Sequence, residues 1–172
     1  CNVLFSFSVI FSREALKLST NLFSMKTALI TGASSGIGLA IARIFADNNI
    51  NLIICGRREQ RLQDLQTELA SKVQVEYLVF DVRDRDLVHE TLSGFLKEKK
   101  VDILVTHSPP YRLGDLEGPH QGFKVFRKFL EQYEPRFHLH GHVHLNYSQN
   151  PRIMNFGGTS IINAFQHHVL DY

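Results

Sequence analysis

The sequence predicts an α/β protein, a parallel twisted sheet with helices on both faces, and three observations carry that prediction. From Lys26 to Val105, apolar runs of strand length alternate with segments whose apolar residues recur at helical spacing. The first run passes through a glycine-rich turn straight into an apolar helix. The run Val101–His107 then opens into Ser108-Pro109-Pro110, a stiffened loop at the carboxyl end of a buried strand. Ligands of open α/β sheets bind beyond such ends, so function is expected to gather around Thr106–Pro110.

Taken in order, Lys26–Ile30 is a short apolar strand, and Thr31-Gly-Ala-Ser-Ser-Gly-Ile-Gly38 turns the chain into a buried helix over Leu39–Ala46. Asn51–Cys55 is the second strand. Leu62, Leu65 and Leu69 mark a helix, Val73–Phe80 a third strand, and Leu87, Val88, Leu92, Phe95 and Leu96 another helix before Val101–Val105. Right-handed crossovers between parallel strands give these four, counted along the chain, the expected order 3-2-1-4. Beyond Pro110, Phe123, Phe126, Phe129, Leu130 and Tyr133 recur with helical period, and that helix should stop before Pro135. Arg136–His140 is then a strand, expected beside 101–105 where it covers an open edge. Gly157-Gly158 joins Ile153–Phe156 to Thr159–Ala164 as a β-hairpin, and His168–Tyr172 is a last short strand.

A chain of 172 residues with 44% hydrophobic content can bury one sizeable core. A formal charge of +2 without a long basic run gives no footprint for nucleic acid. The two cysteines, Cys1 and Cys55, argue against a disulfide framework and for the reducing cytoplasm. Residues 1–24 carry a short apolar run, Val3–Phe11, without the basic flank of a secretory signal and too short to span a bilayer. Met25 is the expected natural start and 1–24 a non-native or disordered leader; a weak membrane-surface or partner segment is the alternative. No membrane partner is expected otherwise, and oligomeric state is open.

The glycines of 31–38 each have a use. Gly32 permits a tight reversal, Gly36 lets backbone approach a pyrophosphate, and Gly38 allows the helix to pack closely on the sheet. Together with Ser34, Ser35 and Ile37 they form a Rossmann-like phosphate loop, with the anion on free N–H groups at the helix start. At the end of the second strand, where an acid would bind a ribose 2′-hydroxyl, the chain has Arg57 and Arg58, which favours NADP(H) over NAD(H). Two solvated arginines on a loop are the bland alternative.

On these residues Met25 to Val105 resembles the short-chain dehydrogenase/reductase family. Thr31-Gly-Ala-Ser-Ser-Gly-Ile-Gly38 matches its cofactor signature, Arg57 and Arg58 match its NADP-preferring members, and Asp81-Val82 matches the pair that contacts adenine. The resemblance implies a Rossmann-like parallel sheet and an NADP(H) cofactor. It ends where that family continues with Asn-Asn-Ala-Gly and this chain with Thr106-His107-Ser108. No Tyr has a Lys four positions on, so the family's acid/base element is absent and no catalytic residue is assigned.

Histidine is concentrated late. His107, His120, His138, His140, His142, His144, His167 and His168 follow Thr106, and only His89 of the nine precedes it. In an extended chain His138, His140, His142 and His144 would share one face, suiting a borderline divalent metal or a merely polar edge strand. Thr106-His107-Ser-Pro-Pro, His140-Gly-His-Val-His144 and Ser160-Ile-Ile-Asn-Ala resemble the C-terminal third of calcineurin-like metallophosphoesterases. That resemblance implies His107 and His142 on one metal of a pair and His144 on the other, with Mn, Zn or Fe as the ion. The family's Asp-x-His and Gly-Asn-His elements are missing, and Gly114-Asp115 follows His107 instead of preceding it, so only a weak single site is expected. His138, His167 and His168 are expected to be surface or packing residues.

The chain thus reads as a chimera joined in the shared strand, with 25–105 an NADP-binding half-sheet and 106–172 a metallophosphoesterase-like part packed on the same sheet. The function expected is nucleotide-cofactor binding without complete oxidoreductase activity. Metal-dependent phosphoester hydrolysis through His107, His142 and His144, or an inert recombination or gene-assembly product, are the alternatives. If the strand order holds, His107 and His142 share the carboxyl edge of the phosphate loop.

Overall fold

A computed structural model of the chain describes residues 8–11, 26–97, 99–145, 150–165 and 167–170. Its strands are β1 (Ser8–Phe11), β2 (Thr27–Thr31), β3 (Asn51–Gly56), β4 (Val75–Val79), β5 (Ile103–Val105), β6 (Phe137–His140), β7 (Ile153–Phe156), β8 (Thr159–Asn163) and β9 (His167–Leu170). Its helices are α1 (Gly36–Asp47), α2 (Glu59–Leu69), α3 (Arg85–Phe95) and α4 (Lys124–Tyr133). Seven strands form one sheet in the order β4-β3-β2-β5-β6-β8-β7, parallel except for β7 on β8. The first four run in the order expected from the crossovers, and β6 lies beside β5 as the open edge required. The α/β, Rossmann-like architecture continued by a helix, a strand and a hairpin is the one observed.

Within the segment assigned to a leader, Ser8–Phe11 pairs in parallel with His167–Leu170 as a separate two-stranded sheet. The final strand starts one residue earlier than its pattern suggests, and Asp171 and Tyr172 lie outside the described residues. Among the described residues no helix is long and apolar enough to cross a membrane.

Strand residues alternate between two apolar layers, which is why the central strands read as continuous apolar runs. Ala28 and Ile30 pack with Ile41, Phe45, Leu62 and Leu65 of α1 and α2, while Leu29 and Leu104 pack with Val88, Leu92, Phe129 and Leu130 of α3 and α4. Phe45, Leu62 and Leu130 are almost wholly buried, each contributing roughly 1.5–3 kcal/mol of transfer free energy. Helix α4 stops before Pro135, as its sequence requires, through Glu134 in the left-handed conformation (φ 42°, ψ 55°). Both layers leave the carboxyl ends of the parallel strands on one edge, and the candidate site is built there.

Candidate nucleotide-binding cleft

Between β2 and α1 the chain takes positive φ at Gly32 (69°) and Gly36 (57°), a conformation that penalises any β-carbon. A β-carbon on Gly38 would stand 2.6 Å from the Gly32 carbonyl oxygen, so the first turn of α1 rests directly on the loop. The Ala33 N–H donates to the Cys55 carbonyl at 3.1 Å, fastening the loop to β3. Ser35, at the helix start, makes no side-chain cap, and the first turn of α1 contains no acid. The helix therefore presents uncapped N–H groups and the positive end of its dipole, an arrangement suited to a phosphate. A β-carbon on Gly32 or Gly36 would meet nothing within 4 Å, so a ligand can approach their backbone closely.

Arg58 stands across this loop. Its Nη2 donates to Ser35 Oγ at 2.6 Å and to Ser34 Oγ at 3.2 Å, and its Nε to Ser34 Oγ at 3.4 Å. Arg57 is exposed, its Nη1 lying 3.7 Å from Asp81 Oδ2. Asp81 is gripped by Arg83, whose Nε and Nη2 and backbone N–H all donate to it. Those side-chain bonds, with the backbone bond second, hold its carboxyl down at about 2. Gly32, Ser34, Ser35, Arg57, Arg58, Asp81 and Val82 line one cleft of about 410 Å³; Gly36, Ile37 and Gly38 shape the loop and the helix start beside it. Sequence reasoning missed Arg83, which lines the same cleft and whose signal is the two-residue step from Asp81.

The far end of the cleft is bounded by His107, Ser108, Phe123 and Phe126, so His107 and the phosphate loop share an edge as the strand order implied. His107 Nε2 lies 3.2 Å from His142 Nδ1, and His142 Nε2 lies 3.2 Å from the Pro119 carbonyl. His142 Nε2–H can donate to that carbonyl, which leaves Nδ1 to accept from His107 Nε2–H. Burial first, and His142 second, lower the His107 pKa.

The four alternating histidines do not share a face. Strand β6 ends at His140, and His142 takes φ 65°, which turns the chain out of the strand. His144 stacks on Phe165, ring centroids 4.4 Å apart, and among the described residues no three His, Cys, Asp or Glu side chains are grouped to hold a metal. Of the residues that the resemblance gives to two metals, His107 and His142 lie in contact and His144 lies against Phe165. His107 and His142 are engaged with each other and with the Pro119 carbonyl.

His138 and His140 are wholly buried packing residues on the α4 side of the sheet. His138 Nε2 lies 2.8 Å from Thr106 Oγ1, which itself donates to the Ser108 carbonyl, so the imidazole is the donor and carries its hydrogen on Nε2. Burial lowers the His138 pKa well below its ordinary value, with His140 adding to it. Burial also brings His140 down to about 4, against the opposing pull of the Gly141 carbonyl and Asp115. Cys55 is a free thiol at the end of β3, pushed strongly upward by burial.

Comparison with known proteins matches this geometry. Residues 26–108 fit the family model described as short chain dehydrogenase. Sulfoacetaldehyde reductase 2 of Chromohalobacter salexigens is 52% identical over 81 residues, 46% of this chain and 32% of that protein. The NADP-dependent 3-hydroxy acid dehydrogenase YdfG of Escherichia coli K12 is 38% identical over 81 residues, with the same shares. Among solved structures, L-sorbose reductase from Gluconobacter frateurii, complexed with NADPH and L-sorbose, superimposes with a TM-score of 0.54 at 26% identity, over 69% of this chain and 52% of that one. An alcohol dehydrogenase from the archaeon Thermococcus sibiricus, complexed with 5-hydroxy-NADP, gives 0.52 at 29% identity, over 68% and 57%. The sheet is that of a Rossmann-like α/β protein. Residues 26–108 are thus similar to the short chain dehydrogenase family, and the similarity is confined to that segment. The chain aligns with about a third (32%) of the length of these curated relatives.

Proposed function

We propose that this chain binds NADP(H) at the carboxyl edge of β2, β3 and β4 and lacks complete oxidoreductase activity. The observation that carries the reading is the convergence of Ser34, Arg57, Arg58 and Asp81 on one cleft beside the uncapped start of α1. The Thr31–Gly38 backbone would hold the pyrophosphate, Arg57 and Arg58 the 2′-phosphate, and Asp81-Val82 the adenine. When bound, the cofactor would supply hydride. A carbonyl reduction also needs a proton donor within reach of the substrate oxygen, and the sequence carries no Tyr-x-x-x-Lys for that task. Cytoplasmic residence belongs to the same reading and rests on the cysteine usage and the free, buried Cys55.

Titration of NADPH fluorescence against the chain tests this, with NADH as the control. Saturable NADPH binding, at least about tenfold tighter than NADH, is the expected result. Absence of NADPH binding would sink the reading and leave an inert product.

The contact between His107 and His142 is what favours a second reading, a metal-dependent phosphoesterase in the C-terminal part of a chimeric chain. Those two imidazoles lack a bridging carboxylate, so hydrolysis of a chromogenic phosphate ester with added Mn²⁺ is expected to stay at background. Metal-dependent turnover lost in His142→Ala would restore that alternative.

A further inference from the structure

We infer that the cleft recognises the adenosine 2′,5′-bisphosphate half of the dinucleotide and leaves its nicotinamide half ungripped. This deepens the NADP(H) reading and rests on it. A dinucleotide on such a sheet lies across the switch point, one half to each side. Here the switch point falls between β2 and β5. On the β3 and β4 side, Arg57, Arg58 and Asp81 face the cleft together. On the β5 and β6 side, where His107 and Ser108 line the cleft, several polar groups at the strand ends are already engaged with one another.

His142 has both ring nitrogens in contact, one with His107 and one with the Pro119 carbonyl. The Gly141 N–H donates to the His107 carbonyl at 3.0 Å, and the Thr106 hydroxyl donates to the Ser108 carbonyl at 2.6 Å. The loop from Ser108 to Phe123 folds back over this edge. Pro110 pairs with Phe123, the Phe123 N–H reaches the Pro109 carbonyl at 3.0 Å, and the Tyr111 N–H reaches the Phe123 carbonyl at 3.1 Å. A β-carbon at Gly122 would run into the Pro110 carbonyl oxygen, so the two arms of the loop touch along their backbones. A carboxamide on a second ring needs open donors and acceptors there, and displacing engaged ones leaves each of them unsatisfied. The ligand class that fits is an adenosine nucleotide with phosphates at both the 2′ and 5′ positions.

Calorimetric titration of the full chain with 2′,5′-ADP, NADP⁺, NADPH and ADP tests the inference. Affinities of the first three should agree within about threefold, and ADP should bind at least about tenfold more weakly. Saturation-transfer NMR on NADP⁺ should mark adenine and ribose protons and leave nicotinamide protons weak. NADPH binding tenfold or more tighter than 2′,5′-ADP, with strongly saturated nicotinamide protons, overturns the inference and keeps the cofactor reading. Binding of neither NADPH nor 2′,5′-ADP removes both.

Discussion

The Arg83 guanidinium holds both oxygens of the Asp81 carboxylate, with Nε 3.0 and 3.1 Å from Oδ1 and Oδ2 and Nη2 2.6 Å from Oδ2. A bidentate, charge-assisted pair of this kind fixes direction as well as charge. It keeps an acceptor in one orientation at the edge of the cleft where an adenine amine is expected.

That grip predicts a titration. The Asp81 carboxyl is held at about 2, below an ordinary value of about 3.9. Because the folded value is depressed, the stabilisation is present above the ordinary value and lost as pH falls through about 2. Arg83→Leu should raise the carboxyl part of the way towards its ordinary value, the backbone N–H at position 83 and Arg57 still holding it down, read by carbon NMR of the Asp81 side chain. An unchanged midpoint in the variant would show that the pair does not control the charge.

His140 predicts the pH dependence of stability at less acid values. Its imidazole is buried and titrates at about 4 when folded, against about 6.5 when the chain is unfolded. The unfolded chain therefore binds more protons between those values, and stability falls as pH drops from about 6.5 towards 4. The loss is on the order of 3 kcal/mol from this group. His138, also lowered, acts in the same direction. Urea midpoints should be flat above pH 7 and decline below it, and His140→Gln should flatten the decline.

Gly38→Ala tests the seat of α1. With the new carbon 2.6 Å from the Gly32 carbonyl oxygen, helix or loop must move. A stability loss of about 1–3 kcal/mol is expected. NADPH affinity should fall with it, because the displaced groups are those that would hold the phosphate in the proposed binding mode. Denaturation and NADPH titration on the same sample provide both readouts, and wild-type values in both would refute the packing argument.

Arg58→Glu reverses the charge beside Ser34 and Ser35. NADPH affinity should fall at least about tenfold, or about 1.4 kcal/mol, with a smaller change for NADH. An equal fall for both nucleotides would assign Arg58 to the pyrophosphate instead of the 2′-phosphate.

By itself the sequence determined the order of strands and helices from Thr27 to Asn163, the glycine turn, and the basic pair after β3. Those features are written locally: apolar spacing chooses the element, and Gly32 and Gly36 are needed wherever φ turns positive. The edge at β5 and β6 was legible only as a list of histidines, because their placement depends on pairing between distant strands. Parallel pairing of Leu104 with His138 brings Thr106 to His138, and the turn at His142 directs one imidazole to His107 while His144 lies against Phe165. The fold-back of Pro110 onto Phe123 is likewise a contact between residues far apart in local pattern. Tertiary structure alone decided which histidines are buried and which meet, because burial and contact are properties of the packed chain.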